Sequence, residues 1–508
     1  MSAAFMVQGA GSNVGKSVLV AGLCRYFTNQ GLRVSPFKPQ NMSNNAAVTT
    51  DGGEIGRAQA MQARACNIAP TVHMNPVLLK PETETGSQII VQGKRFGSMR
   101  AREYGSHKAA LLPRVLDSYR IVEESADLVI TEGAGSPAEV NLRAGDIANM
   151  GFAVAANLPV VMVGDIDRGG VIASLVGTKA VLDDQDNSQI KAFLINKFRG
   201  DTTLFNEGMR IIEDATDWAG IGILPWFEAA RFLPAEDILD IHSKTGDHSV
   251  AGDPSATWTQ SQTSDDRPIH IAVPILRRIA NFDDLDPLAA EPNVRLSLVN
   301  AGEVMPRDVD LILLPGSKAT ISDLAFVKEQ GWDIDIAAHV RRSGRVMGLC
   351  GGYQMLGRAI HDPHGIEGPA GSGVGLGHLD VETTLGEVKT VTSVAAHSRI
   401  HNTPISGYEI HMGATTGGDT ARPLLDIDGR DEGATSQNGL VSGSYVHGIF
   451  ADNAFRAAFL RDLAGEGSRQ YGFGSLDFDG NVDMVLDQLA DHLATHLDMD
   501  KLAKIAGL

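Results

Sequence analysis

Ala4-Phe5-Met6-Val7-Gln8-Gly9-Ala10-Gly11-Ser12-Asn13-Val14-Gly15-Lys16-Ser17 opens the chain with a buried-strand pattern, a glycine-rich turn and the start of an apolar helical stretch. Strand, turn and helix in that order are the first half of a βαβ unit and predict a parallel α/β sheet. The turn is built for phosphate: glycines let backbone N–H groups converge on anionic oxygens, and the helix N-terminus adds positive potential. Gly11, Asn13, Gly15, Lys16 and Ser17 are thus the candidate nucleotide-binding residues. Lys16 reaches terminal phosphates and Ser17 is a candidate magnesium ligand. The spacing departs from strict G-x-x-x-x-G-K-[ST], because Ala10 stands where the first glycine belongs and Gly9 comes one residue early.

Working outward, apolar strands near residues 4, 34, 128, 160, 192 and 221 alternate with helical stretches. Asp127-Leu128-Val129-Ile130-Thr131-Glu132 ends in an acid that a parallel sheet would set beside the phosphate loop, so Glu132 joins Ser17 as a candidate magnesium ligand. Asp51 is a third candidate for the metal. Asp165 and Asp167, after the strand 159–163, are read either as assisting acids or as helix caps. Between the loop and Glu132 lie two segments dense in amides and turn formers, Phe37-Lys38-Pro39-Gln40-Asn41-Met42-Ser43-Asn44-Asn45 and Asp51-Gly52-Gly53-Glu54-Ile55-Gly56-Arg57-Ala58-Gln59. They lie beyond a strand end, where open α/β sheets bind ligands. Lys38, Asn41, Asn44 and Asn45 are the candidate substrate contacts.

A second chemistry occupies the other half of the chain. Gly344-Arg345-Val346-Met347-Gly348-Leu349-Cys350-Gly351-Gly352-Tyr353-Gln354 places a cysteine between glycines directly after an apolar run, the cysteine version of a nucleophile elbow. The helix that follows turns its positive end toward the sulfur and favours thiolate. A thiol of this kind needs a base, and His447, at the end of the β-like run Gly443-Ser444-Tyr445-Val446-His447, is the candidate. Upstream, Val309-Asp310-Leu311-Ile312-Leu313-Leu314-Pro315-Gly316-Ser317 reads as a buried strand opening into a Pro-Gly turn. That turn is either an ordinary strand end or half of an oxyanion hole, with Gly316 and the Gly351 amide as the donors.

Cysteine elbow, downstream histidine and upstream Pro-Gly turn together resemble the class I glutamine amidotransferases, whose cysteine attacks the side-chain amide of glutamine and releases ammonia. Many members carry a glutamate two residues after the histidine; here that position is Ile449. The branch that amidates cobyrinic and cobyric acids is similar in lacking it, and what orients His447 stays open. The longer spacing of the phosphate loop resembles dethiobiotin synthetase and its relatives, which activate carboxylates with ATP. Lys38 is similar in context to their substrate-contacting lysine, and Asn196, in Phe193-Leu194-Ile195-Asn196-Lys197-Phe198-Arg199-Gly200, resembles their base-contacting residue. Lys38 to Asn45, Asp51 to Gln59, Met74-Asn75-Pro76-Val77-Leu78-Leu79-Lys80-Pro81, Asn196 to Asp201 and Gly407-Tyr408-Glu409-Ile410-His411-Met412-Gly413 resemble the cobyric acid synthase family across nearly the whole chain. The implied fold is α/β, with two doubly wound domains: a P-loop, dethiobiotin synthetase-like one followed by a class I glutamine amidotransferase-like one.

Length agrees, since 508 residues exceed one ordinary core and suit two. The expected division is a carboxylate-activating domain at 1–240, a polar linker at 241–267, a glutamine amidotransferase domain at 268–460 and a helical extension at 461–508. In that extension Val482, Val485, Leu486, Leu489, Leu493 and Leu497 form one apolar stripe, read as a docking face. A net charge of −19 argues against a nucleic-acid partner, which requires concentrated positive charge. A polycarboxylate substrate would need a local basic patch; Lys38, Arg57, Lys80 and Lys94 are read either as that patch or as solvated surface charge. No apolar run reaches the ~18 residues of a membrane span. Three cysteines and a first strand that begins almost at once predict a cytoplasmic protein.

The mechanism implied is a division of labour. ATP, with Mg2+, would phosphorylate a carboxylate, and ammonia released from L-glutamine at Cys350 through a glutamyl thioester would displace the phosphate. The resemblance implies adenosylcobyrinic acid a,c-diamide as acceptor, with amidation of its b, d, e and g carboxylates in cobalamin biosynthesis. The rival readings are an enzyme amidating the a and c carboxylates, which the asparagine-rich motifs disfavour, and a nucleotide switch, which Cys350 and His447 disfavour. Whether the chain forms a homo-oligomer is left open.

Overall fold

The computed structural model describes residues 2–82, 86–236, 267–465 and 473–508. The expected linker at 241–267 lies outside the described residues apart from Arg267. The chain divides into two compact units, Met1–Pro234 with Val482–Leu508, and Ala235–Asn481.

The first unit is built on a wholly parallel sheet of β1 (Ala3–Gly9), β2 (Val34–Phe37), β3 (Leu128–Glu132), β4 (Val160–Asp165), β5 (Ile190–Phe198) and β6 (Ala219–Pro225), in the order β6-β5-β4-β1-β3-β2. β3 and β4 are buried along their whole length, which is why they read as unbroken apolar runs rather than alternating ones. Below the sheet, Phe37, Tyr119 and Phe152 pack ring to ring. The order reverses at β1, so the crevice beyond its C-terminal end is the topological switch point of the sheet. The phosphate loop sits there and leads into α1 (Lys16–Asn29), with Glu132 ending the neighbouring β3 and Asp165 ending β4. The amide-rich segments form a hairpin, Ala46–Val48 with Glu54–Gly56, then α2 (Arg57–Ala65), and an outlying four-stranded sheet whose last strand, Lys94–Arg100, is charged and largely exposed. Such polar edges guard against strand addition.

The apolar stripe is buried in this same unit: Gly22 of α1 faces Leu489 and Leu493 so closely that a Cβ there would lie 2.7 Å from Leu489 Cγ and 2.6 Å from Leu493 Cδ1. The segment expected as one extension after the second domain is therefore divided. Residues up to Asn481 belong to the second unit, and Val482–Leu508 return to the first, where Leu489 and Leu493 of the stripe pack on Gly22 of α1.

The second unit holds a sheet in which β7 (Ile269–Pro274), β8 (Val294–Val299), β9 (Leu311–Leu314), β10 (Arg345–Leu349) and β13 (Val441–Ser444) run parallel in the order β8-β7-β9-β10-β13. A second, mostly antiparallel sheet is dominated by β11 (Glu382–Ser398) and β12 (Pro404–Thr416), and β12 pairs with the short β14 (Val446–His447). Two mostly parallel α/β sheets in succession are the expected fold class. No helix among the described residues is long and apolar enough to cross a membrane.

Candidate active sites

In the first unit the phosphate loop is shaped by left-handed residues: Asn13 has φ 57° and Gly15, at the N-cap of α1, has φ 92°. Gly15 could not be larger, since its Cβ would fall 2.5 Å from Asn196 Nδ2. Asn196 donates to Val14 O at 2.8 Å and Lys197 donates to Asn13 O at 2.6 Å, so the end of β5 braces the loop. Lys16 Nζ donates to Gly135 O at 3.1 Å and reaches Gly11 O at 3.4 Å.

Glu132 is the hub beside that loop. Its Oε1 accepts from Ser17 Oγ at 2.8 Å and Lys38 Nζ at 2.7 Å, and its Oε2 from Gln62 Nε2 at 2.6 Å and Gln59 Nε2 at 3.4 Å. Burial alone would push this carboxyl up, but the Lys38 charge and the hydrogen bonds from Lys38, Gln62 and Ser17 outweigh it and hold the group below the usual range. Two hard oxygens at the edge of a phosphate loop fit magnesium, which takes few protein ligands and completes its shell with phosphate and water. Among the described residues no group of three or more His, Cys, Asp and Glu side chains forms a metal cluster. Asp51 is not brought to this hub: it occupies the exposed hairpin tip, where its carboxylate accepts from Val72 N at 3.2 Å. Its place in the tight Thr49–Gly53 turn explains the difference. Asp165 accepts from the Asp167 amide at 2.9 Å and pairs with Lys197, and Asp167 pairs with Arg199; neither caps the helix Val171–Val181 that follows, whose N-cap is Gly170 with no side-chain hydrogen bond.

The amide segment turns partly inward. Asn41 Nδ2 donates to Gln59 Oε1 at 2.9 Å, so Asn41 supports the glutamine that supports Glu132. Asn45 is buried and its backbone is tied to Ser43 and Arg57. The Oδ1 of Asn44 is buried with no hydrogen-bond partner among the described residues. Of the expected basic patch, Lys38 and Lys80 are buried in ion pairs, with Glu132 and with Glu54 at 2.9 Å, and Lys94 is exposed on the edge strand. Two of the four cations are thus committed to internal carboxylates.

In the second unit Cys350 sits at φ 50°, ψ −108° between β10 and α3 (Gly351–Leu356), a strained conformation that surrounding glycines permit. Added Cβ atoms would lie 2.5 Å from Gly352 C at Gly348, and 2.2 Å from Leu314 O at Gly352. The Pro-Gly turn lies against this elbow: a Cβ on Gly351 would be 2.8 Å from Ser317 N, and one on Gly316 would be 3.2 Å from His447 Cε1. Cys350, Gly351, Gly316 and His447 therefore converge. The Cys350 thiol is 3.6 Å from Ile410 O, within the Gly407–Gly413 motif.

His447 Nδ1 is 2.8 Å from Asp284 Oδ2, and the Gly448 amide donates to Asp284 Oδ1 at 2.7 Å. Burial pushes the imidazolium down, but the hydrogen bond to Asp284 and the charges of Asp284 and Cys350 outweigh it and place its pKa at about 9. Tyr408 stacks on the same ring with centroids 5.4 Å apart, its hydroxyl donating to Asp283 at 2.7 Å.

Residues 5–240 match the CobQ/CobB/MinD/ParA nucleotide binding domain and residues 270–455 the CobB/CobQ-like glutamine amidotransferase domain. Along its length the chain is 58% identical to a cobyric acid synthase of Rhodobacter capsulatus, with 99% of each chain covered. It is 56% identical to one of Jannaschia sp., covering 99% of this chain and all of the relative. The chain belongs to the cobyric acid synthase family. Membership makes the second unit a glutamine amidotransferase domain and the first a nucleotide-binding one. Within this family frame, Asp284 is the site residue that has no local motif. Its only sequence signal is position: Asn281-Phe282-Asp283-Asp284 follows β7 at the ligand-binding ends of the parallel strands, in a chain whose position 449 lacks an acid.

Proposed function

We propose that this chain is an ATP- and glutamine-dependent amide ligase that converts the b, d, e and g carboxylates of adenosylcobyrinic acid a,c-diamide to amides in cobalamin biosynthesis. The observation that carries the reading is full-length identity to cobyric acid synthases in a chain that keeps both a phosphate loop with an acidic hub and a cysteine elbow with its histidine.

A carboxylate is a poor electrophile, so its oxygen attacks the γ-phosphorus of ATP and ADP leaves, giving an acyl phosphate. Lys16 and the α1 N-terminus hold the phosphates, and Ser17 and Glu132 would hold Mg2+, which neutralises phosphate charge when bound. Lys38, seated on Glu132, keeps positive charge beside the acceptor carboxylate. Asn44, whose buried Oδ1 meets no donor among the described residues, is placed to take a substrate donor, while Asn41 supports Gln59.

In the second unit His447 takes the Cys350 proton, the sulfur attacks the glutamine amide carbon, and ammonia departs as the thioester forms. Gly351 and the Gly316 turn stabilise the oxyanion. Water then releases glutamate. Ammonia attacks the acyl phosphate and expels phosphate.

Purified protein given ATP, glutamine and the diamide is expected to add four single-amidation mass increments. None, or two, would overturn the assignment. Cys350→Ser is expected to lose glutamine-supported product while ammonia-supported product persists.

A further inference from the structure

The position at which many class I enzymes place the acid that orients the histidine holds Ile449 here, an apolar side chain in the core. His447 is nonetheless held. Asp284 reaches it from a part of the chain 163 residues away, and both side chains are about 1% exposed. One carboxylate oxygen meets Nδ1 at 2.8 Å and the other accepts the next backbone amide, Gly448 N, at 2.7 Å. This two-point grip fixes the imidazole edge in both direction and tilt. A carboxylate partner keeps the proton on Nδ1, which leaves Nε2 as the acceptor; Nε2 is buried with no hydrogen-bond partner among the described residues, and the Cys350 thiol acts on the ring.

The same segment also sets the other half of the site. Ile279 bridges to Ser317, the Ala280 amide donates to Gly316 O at 3.0 Å, and the Lys318 amide donates to Arg278 O at 2.8 Å. Asp323 then joins the two by accepting from Ser317 Oγ at 2.6 Å and Arg278 N at 3.2 Å. Residues 278–284 therefore touch the oxyanion turn at one end and the histidine at the other. Asp283 adds a third constraint by fixing Tyr408 against the imidazole face.

We infer that Asp284 is the positioning carboxylate of the glutaminase site, replacing the acid absent at 449, and that the segment 278–284 aligns histidine and oxyanion turn as one piece. This rests on the proposed roles of Cys350 and His447. Asp284 exchanges no proton with substrate. The thiol proton moves to Nε2, the C–S bond forms as the amide C–N bond breaks, and the imidazolium returns the proton to departing ammonia; Asp284 holds the Nδ1–H throughout.

The test uses the full-length chain and three readouts: glutamine hydrolysis, ammonia-supported amidation and the pH dependence of Cys350 alkylation by iodoacetamide. Asp284→Asn keeps the shape and an acceptor for Gly448 N but allows the wrong tautomer. It is expected to lower kcat for glutamine roughly 10²- to 10⁴-fold with KM changed less than about threefold. Ammonia-supported turnover should stay within about twofold. The midpoint of alkylation should rise by about one pH unit, since thiolate loses the imidazolium that stabilises it. Asp284→Glu should recover part of both losses. Glutamine turnover within threefold of the parent and an unmoved alkylation profile in Asp284→Asn would overturn the inference. Loss of ammonia-supported turnover in both variants would also overturn it, by making Asp284 a folding residue. A parent protein that hydrolyses no glutamine at all would instead sink the roles of Cys350 and His447.

Discussion

Ser17 donates its hydroxyl to Glu132 Oε1 at 2.8 Å, joining the first turn of α1 to the end of β3. The same oxygen carries Lys38, so one buried carboxylate is ligand to a hydroxyl and an ammonium at the margin of the phosphate loop. Glu132→Gln should reduce ATP-dependent amidation at least about 100-fold with either nitrogen source, while Cys350 alkylation stays unchanged. It also removes the buried carboxylate charge that Lys38 Nζ meets at 2.7 Å. Breaking one side of a buried pair costs about 3–5 kcal/mol, which urea unfolding of the variant would show. Amidation near the parent rate would remove Glu132 from the nucleotide site.

The Pro-Gly turn gives a second test. A methyl on Gly316 would stand 2.5 Å from Ala280 O and 3.2 Å from His447 Cε1, so Gly316→Ala must push the turn away from histidine or elbow. Loss of one aimed oxyanion donor typically costs 10²–10³ in kcat, and a fall of about that size in glutamine hydrolysis is expected. Ammonia-supported amidation should be spared. Equal loss of both activities would mean that Gly316 serves folding rather than the oxyanion.

What could be read from the sequence was what local chain geometry encodes. The phosphate loop and the elbow announce themselves because glycines must cluster where backbone approaches a ligand or turns sharply around Cys350. Pairings set by sheet order leave no such trace. Lys38 and Glu132 lie 94 residues apart and meet only because β2 and β3 are neighbours. Asn41 looked like a ligand contact by composition, yet its amide is spent on Gln59. The stripe from Val482 to Leu497 was legible as a docking face, but not its groove: that depended on Gly22, one glycine inside an otherwise ordinary helix.

That groove makes a packing prediction. Leu493 is about 1% exposed, and Leu493→Ala should destabilise the first unit by about 2–5 kcal/mol in urea unfolding. Gly22→Ala inserts a methyl 2.6 Å from Leu493 Cδ1 and should cost about 1–3 kcal/mol by overpacking. Each change answers the other, since one removes the atoms the other would strike. The double variant should therefore be less destabilised than the sum of the singles by at least about 0.5 kcal/mol. Strict additivity would show that the two side chains do not share a contact.

Glu432 predicts a pH dependence of stability. It is buried beneath β13, where its oxygens accept from Ser444 Oγ at 2.8 Å and Tyr445 N at 2.7 Å. Burial pushes its pKa up to about 7; the two hydrogen bonds pull the other way, while the Glu409 charge adds to the rise. The folded protein therefore binds a proton that the unfolded chain releases near pH 4.5, so stability is greatest below that and falls as pH rises toward 7. A shift of this size is worth about 3 kcal/mol. Asp323, pushed by burial to about 6, acts in the same direction, and His447, raised from 6.5 to about 9, contributes stability that is full below 6.5 and is lost as pH rises through about 9. Subtracting the Glu432→Gln curve from that of the parent isolates the Glu432 contribution. The difference should move by about 3 kcal/mol in favour of the variant between pH 4.5 and 8. Parallel curves over that interval would mean that Glu432 titrates alike in the folded and unfolded chain.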